Sequence, residues 1–177
     1  MTVRYVPLTV ITIVTGAGEA VLAELSTQNQ PPLSRYCALV PGEIAWDNCD
    51  CGQLAQSVGD VYPSNNFPTS AADQRRTPCG PNLIIIPVTL SLTRCVPVST
   101  NDGRPPSCDK LLAAAITLEV DRWVVRQAIT CYLRDLRDTY VIADFSVGVA
   151  RTVGPQGACV GVELSYLVGV GSSCCSG

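Results

Sequence analysis

The chain has 177 residues, of which 47% are hydrophobic and 15% charged, with a formal net charge of −3, and this length suits one domain with a sizeable core. Because the charged fraction lies well below the roughly 25% of an ordinary soluble domain, we expect a subunit that buries surface against partners, with a polar-surfaced monomer as the alternative. The small negative charge gives no indication of strong nucleic-acid binding, and the absence of histidine excludes Ser-His-Asp, Cys-His and His-ligated metal sites.

The first predicted element is an amphipathic helix over residues 8–27. Its apolar face carries Val14, Ala17, Val21 and Leu25. The β-branched run over residues 10–14 favours a strand at the beginning of this segment. Residues 5–14 also resemble the apolar core of a signal peptide, with an A-x-A-like site around residues 17–23, which would suit a secreted protein. We expect no membrane span, because the segment is too short and too polar for the about 20 apolar residues required.

Strands are predicted next along the chain. The first covers residues 36–46, and the second covers residues 53–62 with a bulge at Gly59. The most apolar strand covers residues 83–96. Pro87 lies inside it and cannot donate a hydrogen bond to a neighbouring strand, so it indicates a sheet edge or a bulge.

Two long polar loops separate these elements. Residues 63–82 form the first and contain the basic pair Arg75 and Arg76, which could contact DNA or an acidic partner or remain solvated. Residues 97–107 form the second loop, which contains Arg104.

The clearest helix begins near residue 108, with Ser107 or Asp109 as its cap, and ends near residue 136. Its length would be roughly 40 Å at 1.5 Å per residue. Its main apolar stripe carries Leu111, Ala115, Leu118, Val125, Ile129, Leu133 and Leu136. A second apolar flank carries Leu112, Ile116, Val120 and Trp123. So broad an apolar surface predicts packing against a sheet and also against something else.

Charged side chains of both signs alternate along the same helix. Their spacing of three or four residues predicts ion pairs on the surface, or contacts with a neighbouring subunit. These residues are Glu119, Asp121, Arg122, Arg126, Arg134, Asp135 and Arg137.

Two further strands are predicted over residues 140–153 and 159–170, and residues 171–177 are expected to form a flexible C-terminal tail. The element order is therefore α-β-β-β-α-β-β. This order predicts a single α+β domain over residues 1–170. Its antiparallel or mixed sheet of about five strands would be packed by one long helix and an N-terminal helix.

The ten cysteines include no C-x-x-C pair, so neither a zinc ribbon nor a thioredoxin motif is present. A four-thiolate zinc site is an alternative, and its candidates are Cys37, Cys49, Cys51 and Cys79. Cys95 and Cys108 bracket the second loop, and a disulfide between them would contribute roughly 3 kcal/mol by closing a short loop. Cys131 is expected to be a buried thiol inside the helix. We expect no cofactor and a structural protein rather than an enzyme, because histidine is missing.

Four runs carry a family resemblance: CALVPGEIAWDNCDCGQLAQSVGDVYPSNNFP, CGPNLIIIPVTLSLTRCVPV, NDGRPPSCDKLLAAA and GPQGACVGVELSYLVGV. They resemble small cysteine-containing head-to-tail connection proteins of long-tailed phages of actinobacteria. The resemblance covers roughly residues 20–170. The element order is similar to that of siphophage tail terminators, which have a helix, three strands, a second helix and two strands. Lys110 is the only lysine among twelve basic residues, which agrees with a GC-rich host.

The resemblance implies a virion protein at the junction of tail and neck, assembled in the host cytoplasm. Tail terminators form hexameric rings that end the tail tube, stop its polymerisation and present a surface to the neck. The tail tube protein and a head-tail stopper would be the partners, DNA would pass through the lumen without specific binding, and no membrane would be involved. A head-tail stopper or adaptor is the alternative within this class, and a secreted disulfide-rich binding module is the alternative from another class.

In such a ring, we expect residues of the long helix to pack within the subunit and at the interface between subunits. We expect the long loops to contact the tube and neck proteins along the axis of the ring. The helix residues would be Leu111, Ala115, Leu118, Trp123, Val125 and Ile129. The loop residues would be Arg75, Arg76 and Arg104.

Overall fold

Two helices and seven strands make up the part of the chain that the computed structural model describes, which is residues 5–44, 52–70, 83–99 and 102–171. In chain order they are α1 Tyr5–Thr27, β1 Arg35–Cys37, β2 Gln53–Val58, β3 Tyr62–Ser64, β4 Leu83–Cys95, α2 Cys108–Asp138, β5 Asp144–Val147, β6 Arg151–Gln156 and β7 Cys159–Gly171. All seven strands belong to one sheet. The predicted α+β class is therefore confirmed, with more strands than the five expected.

The centre of the sheet is the pair β4 and β7, which run antiparallel along their whole length, from Leu83 opposite Gly171 to Cys95 opposite Cys159. β2 and β3 pair with the other side of β4, and β5 and β6 pair with the other side of β7. β1 adds to β2 in parallel, so the sheet is mixed.

A bulge interrupts the strand that runs along β4. The pairing register with β4 shifts by one residue between Val58 at the end of β2 and Tyr62 at the start of β3. The amide of Gly59 donates to the carbonyl of Pro87 at 2.9 Å. Pro87 therefore lies opposite the bulge, where the hydrogen-bond ladder between β4 and its neighbours β2 and β3 is interrupted. A regular ladder would require an N–H at this position, which proline lacks. The predicted bulge at Gly59 and the bulge interpretation of Pro87 are confirmed.

Both helices contribute to one core on one face of the sheet. Side chains of β4 and β7 alternate between the faces, so every second residue points to the helices. The strands contribute Ile86, Val88, Leu90, Leu92, Val160, Val162, Leu164, Tyr166, Val168 and Val170. The helices contribute Ile13, Val14, Ala17, Val21, Leu25, Leu118, Val124, Val125, Ala128, Ile129 and Leu133. The predicted apolar face of α1 is thus confirmed.

α1 and α2 run antiparallel to each other. A Cβ atom on Gly16 of α1 would meet the ring of Tyr132 in α2. Beyond the other end of α1, the buried Arg94 donates both to the carbonyl of Pro31 and to the carboxylate of Asp121 in α2. The segment after α1 therefore lies beside Asp121. The turns of α2 that precede Asp121 continue beyond the end of α1.

Some predicted strands differ from the structure. The residues predicted to begin α1 as a strand are helical, because burial of Ile13 and Val14 on the core outweighs their weak helix propensity. The strand predicted over residues 36–46 is limited to Arg35–Cys37 among the described residues. The strand predicted over residues 140–153 begins only at Asp144, because the chain first turns after α2. It divides into β5 and β6 at residues 148–150, where the pairing register with β7 shifts by one residue.

Among the described residues, one helix, over Thr9–Thr27, is long and apolar enough to cross a membrane when judged by length and composition alone. The expectation of no membrane span rests on residues 5–14 and stays a prediction. The most apolar side chains of this helix, from Ile13 to Leu25, form the stripe that packs into the core. About a third of this segment is buried inside the fold.

Candidate assembly surfaces

The first ten residues of α2, residues 108–117, project from the rest of the fold, and we call this segment the α2 arm. None of its side chains is buried, and the first buried residue of the helix is Leu118. Leu111, Leu112 and Ile116 are large apolar residues of the arm that lie exposed. Short helices gain most of their stability from packing of an apolar face, so the exposed apolar side chains mark the arm as a contact surface.

Apolar residues occur on two sides of the arm. At 3.6 residues per turn, Leu112, Ile116 and Trp123 align along the helix, opposite to its buried face, and we call them the outer stripe. Their side chains are 60%, 57% and 59% exposed. Leu111 instead continues the inner stripe of Leu118, which packs into the core. The arm can therefore be covered on both sides.

A second exposed apolar surface lies at the other end of α2, a helix about 46 Å long. Tyr140 is 94% exposed and has a left-handed backbone with φ of 60°, and Val141 beside it is half-exposed. A cavity of about 660 Å³ opens here, and we call it the Tyr140 pocket. Its lining is Arg137, Asp138, Tyr140, Val141, Ile142, Ala143 and Gly171.

The structure divides the predicted interface residues into two groups. Leu118, Val125 and Ile129 are buried in the core, where they cannot contact another subunit. Leu111, Ala115 and Trp123 are exposed and can do so. Sequence reasoning did not include Leu112 and Ile116 in the interface, although it placed both on the second apolar flank. It missed Tyr140 and Val141 because it assigned them to a strand.

The charged residues of α2 also divide. Arg122 pairs with Glu119 on the surface, as predicted. Asp121 contradicts the prediction of a surface pair. It is fully buried, and its two carboxylate oxygens accept from Arg94 at 2.8 and 3.0 Å. The reason is its helical position, which points at the sheet, and Arg94 supplies the compensating charge that a buried carboxylate requires.

The predicted partner-contact loops are described only in part. Arg75 and Arg76 lie outside the described residues. Arg104 is largely exposed and forms an ion pair with Asp102 at 3.1 Å. Arg104 is therefore on the surface, four residues before the first residue of the α2 arm, where a partner could reach it.

The predicted disulfide between Cys95 and Cys108 is wrong. Cys95 and Cys159 are both disulfide-bonded and lie directly opposite each other in β4 and β7, whereas Cys108 is a free, exposed thiol. The amide of Val96 donates to the carbonyl of Ala158, so the adjacent cysteine pair occupies a non-hydrogen-bonded position. The Cα atoms of such a pair are closest, at about 4.5 Å, which suits a disulfide. Cys108 is unavailable because it begins the projecting arm.

The remaining described cysteines are thiols. Cys37 and Cys131 are free and half-buried, and Cys131 accepts from the side-chain amide of Gln127 at 3.5 Å. Cys131 is thus less buried than predicted. Cys49, Cys51 and Cys79, the other zinc candidates, lie outside the described residues. Within the described part of the chain, no group of three or more potential metal ligands occurs.

A polar network lies between α1 and the sheet, beneath two glycines of the helix. The side-chain amide of Gln56 donates to the carbonyl of Val14 at 2.7 Å, and the hydroxyl of Tyr36 donates to that of Thr15 at 3.1 Å. The hydroxyl of Tyr166 donates to Oε1 of Gln56 at 2.8 Å. These bonds fix the position of α1 on β2 and β7, so the network is a docking site for the helix.

The tyrosines of this region resist ionisation. Burial, and secondly the negative charge of Glu19, raises the pKa of Tyr36 and the pKa of Tyr132. Burial raises the pKa of Tyr166 further, and the two other tyrosines add to the rise. The network therefore stays neutral at physiological pH, and it offers no general base there.

No protein family profile matches the chain, and no curated protein matches it in sequence. Two structural features therefore bear on its function. The first is a pair of unlike apolar surfaces at opposite ends of α2. The second is the lightly charged α+β domain that carries them, with its rigidly docked helix α1.

Proposed function

We propose that the protein is the tail terminator of a long-tailed phage, a ring subunit that ends the tail tube and joins it to the neck. The observation that carries this proposal is the pair of exposed apolar surfaces, the α2 arm and the Tyr140 pocket. A subunit that joins two neighbours head to tail needs two different surfaces, and repetition of one such contact produces a ring when the rotation closes.

The order of the elements supports the same proposal. A helix precedes a group of strands, a second long helix follows, and the remaining strands complete one sheet. This is the order expected for tail terminators from the resemblance of the sequence. β1 and β3 have three residues each, so the strands that build most of the sheet before α2 are β2 and β4.

Passage of DNA through the ring fits the charge of the subunit. A formal net charge of −3 gives no overall attraction to phosphates, and an attractive lumen would slow the passage of DNA. The proposed partners are the tail tube protein on one side of the ring and a neck protein on the other.

Deletion of the gene from the phage that encodes it would test the proposal. Electron microscopy of the lysate should reveal filled heads without tails and abnormally long tail tubes, because tube polymerisation is not stopped. Supplying the protein from a plasmid should restore normal particles. Unjoined tails of normal length would instead identify a head-tail stopper or adaptor, and normal particles would overturn both assignments.

A secreted binding module is the second candidate, because the disulfide of Cys95 and Cys159 suits an oxidising environment. Secretion with cleavage near residues 17–23 would remove Ile13 and Val14, which are buried in the core. The intact mass of the protein from its native source separates the candidates. A mass that includes α1 supports the terminator, and a mass that lacks α1 supports the secreted module.

A further inference from the structure

We infer that the domain is built from two copies of one structural unit, and that an internal two-fold axis relates the copies. The unit is a helix followed by two short strands, which a bulge separates, and then a long strand. The first copy consists of α1, β2, β3 and β4, and the second consists of α2, β5, β6 and β7. β1 has no counterpart in the second copy, whose residues 108–171 are all described. The repeat belongs to the fold itself and does not depend on the proposed function.

The long strands are the clearest equivalent pair. β4 and β7 have 13 residues each, and they pair antiparallel along their whole length. A two-fold axis perpendicular to the sheet exchanges two such strands, and it passes through their middle pair, Thr89 opposite Ser165. The hydroxyls of these residues lie 3.5 Å apart. Two similar side chains therefore meet at the axis, as in a two-fold interface between identical units.

The strands beside β4 and β7 repeat the same irregularity. β2 and β3 pair with β4 on either side of a bulge, β5 and β6 pair with β7 on either side of another, and the register shifts by one residue at both. A glycine amide bonds across each bulge at 2.9 Å, from Gly59 to the carbonyl of Pro87 and from Gly148 to that of Ser165. These acceptors are the fifth and seventh residues of their strands. Because a bulge is a specific feature of a fold, its recurrence at nearly the same place indicates a repeat.

The helices take equivalent places on the sheet. α1 ends beside the end of β4, where Arg94 donates to the carbonyl of Pro31. α2 ends beside the end of β7, where Arg137 and Gly171 line the Tyr140 pocket together. The two helices run antiparallel, which is the relation that a two-fold axis perpendicular to the sheet imposes on its equivalent elements.

The buried faces of the helices also match. Three core residues of α1 have the same spacing as three core residues of α2. They are Val14, Val21 and Leu25 in α1 and Leu118, Val125 and Ile129 in α2. α1 begins nine residues before Val14, and α2 begins ten residues before Leu118. The α2 arm therefore has a counterpart in the first turns of α1.

Exchanging the order of the two units along the chain tests the inference. A circular permutant that keeps every residue would begin at Asp102, run through Gly177 and two added glycines into Met1, and end at Asn101. Its new connection from β7 to α1 has 12 residues, the same number as residues 96–107 between β4 and α2. Because the axis makes the two connections equivalent, the midpoint of thermal unfolding should stay within about 5 °C of that of the native order. Peptide mapping should still recover Cys95 linked to Cys159.

A second permutant is the matched control. It has the same joined ends but opens between Tyr140 and Val141, which separates α2 from the strands of its own unit. Its unfolding midpoint should be lower by at least about 10 °C. Equal stability of the two permutants would show that any exposed connection can be opened and would overturn the inference. Failure of the first permutant to fold would overturn it as well.

A second disulfide provides an independent measurement in the native chain order. The axis exchanges the pair of Cys95 and Cys159 with the pair of Leu83 and Gly171 at the other end of β4 and β7. In the described part of the chain, a Cβ atom at Gly171 meets no other atom within 4 Å. Leu83→Cys with Gly171→Cys should therefore form a bond between the two new cysteines, because every second pair along an antiparallel ladder has the same geometry. Two reduced thiols at these positions in the folded, oxidised protein would contradict the axis.

Discussion

Gly16 and Gly18 allow two tyrosine rings to lie directly on the backbone of α1. A Cβ atom at Gly16 would come within 2.2 Å of the hydroxyl of Tyr132, and one at Gly18 would come within 2.3 Å of the hydroxyl of Tyr36. These glycines therefore provide close packing. Their helical location also excludes a phosphate-binding loop, which needs glycines in a turn between a strand and a helix.

Replacement of either glycine by alanine should destabilise the protein by about 1–3 kcal/mol, the usual range for overpacking a core. Alanine is intrinsically the better helix former by about 1 kcal/mol, so a loss of stability would identify the steric clash. Urea unfolding followed by circular dichroism measures the effect. Gly59→Ala is the matched control, because its nearest contact would be an ordinary 3.6 Å. A more stable Gly16→Ala variant would contradict the packing of Tyr132 on the helix.

The tyrosine network should make the fold sensitive to alkali. The folded-state pKa values of Tyr36 and Tyr132 lie above the ordinary value of 10.0. Below pH 10 these side chains are neutral in both states, and the full stability is present. Above pH 10 the unfolded chain ionises first, so the free energy of unfolding should fall as pH rises.

Urea unfolding between pH 8 and about pH 11 measures this dependence. The combined variant Tyr36→Phe and Tyr132→Phe removes two ionising groups, so its stability should fall less steeply across the alkaline range. An equally steep fall in this variant would show that other groups cause the alkaline unfolding.

At the residue scale, sequence reasoning succeeded where neighbours along the chain decide the outcome. Ser107 caps α2 through the amide of Lys110, as its position before the helix predicts. It failed for Cys95, because the disulfide partner is set by the pairing of β4 with a strand much later in the chain. It also failed for Asp121, since the spacing of charges on a helix does not reveal which residue faces a buried arginine.

At the scale of elements, α2 was the best predicted part of the fold because its apolar residues recur at helical spacing over many turns. The bulge opposite Pro87 was equally predictable, because proline cannot take part in a regular ladder. The arm could not be predicted. Its exposure depends on where α1 ends beside α2, which is a property of the packing between two elements.

The ion pair between Arg94 and Asp121 ties three elements together, and its loss should be severe. Arg94 of β4 holds α2 through Asp121 and the segment after α1 through the carbonyl of Pro31 at 2.6 Å. Asp121→Ala would leave a buried guanidinium without its partner, so we expect a loss of about 3–5 kcal/mol in urea unfolding.

Two comparisons interpret this loss. Glu119→Ala breaks the exposed pair with Arg122 and should change stability by less than about 1 kcal/mol. Arg94→Met with Asp121→Leu removes both charges and should recover much of the stability lost in Asp121→Ala. A small effect of Asp121→Ala would mean that water reaches the pair.

At the scale of the whole molecule, the two central strands connect the halves of the chain. β4 belongs to the half before α2, and β7 lies at the end of the half that follows it. Arg94, next to Cys95 at the end of β4, pairs with Asp121 of α2, so the base of the arm lies at the end of the sheet that contains the disulfide. The disulfide therefore fastens the part of the sheet that supports the base of the arm.

Reduction of this disulfide should lower the stability of the whole domain. The bond closes the chain over residues 95–159, and in the chain-entropy model a loop of this length contributes roughly 4 kcal/mol. Urea unfolding with and without a reductant measures the loss, and Cys95→Ala with Cys159→Ala should reproduce it. Cys108→Ala should leave the stability unchanged because Cys108 is a free thiol. Peptide mapping under non-reducing conditions should recover Cys95 linked to Cys159, and a peptide linking Cys95 to Cys108 would contradict the pairing.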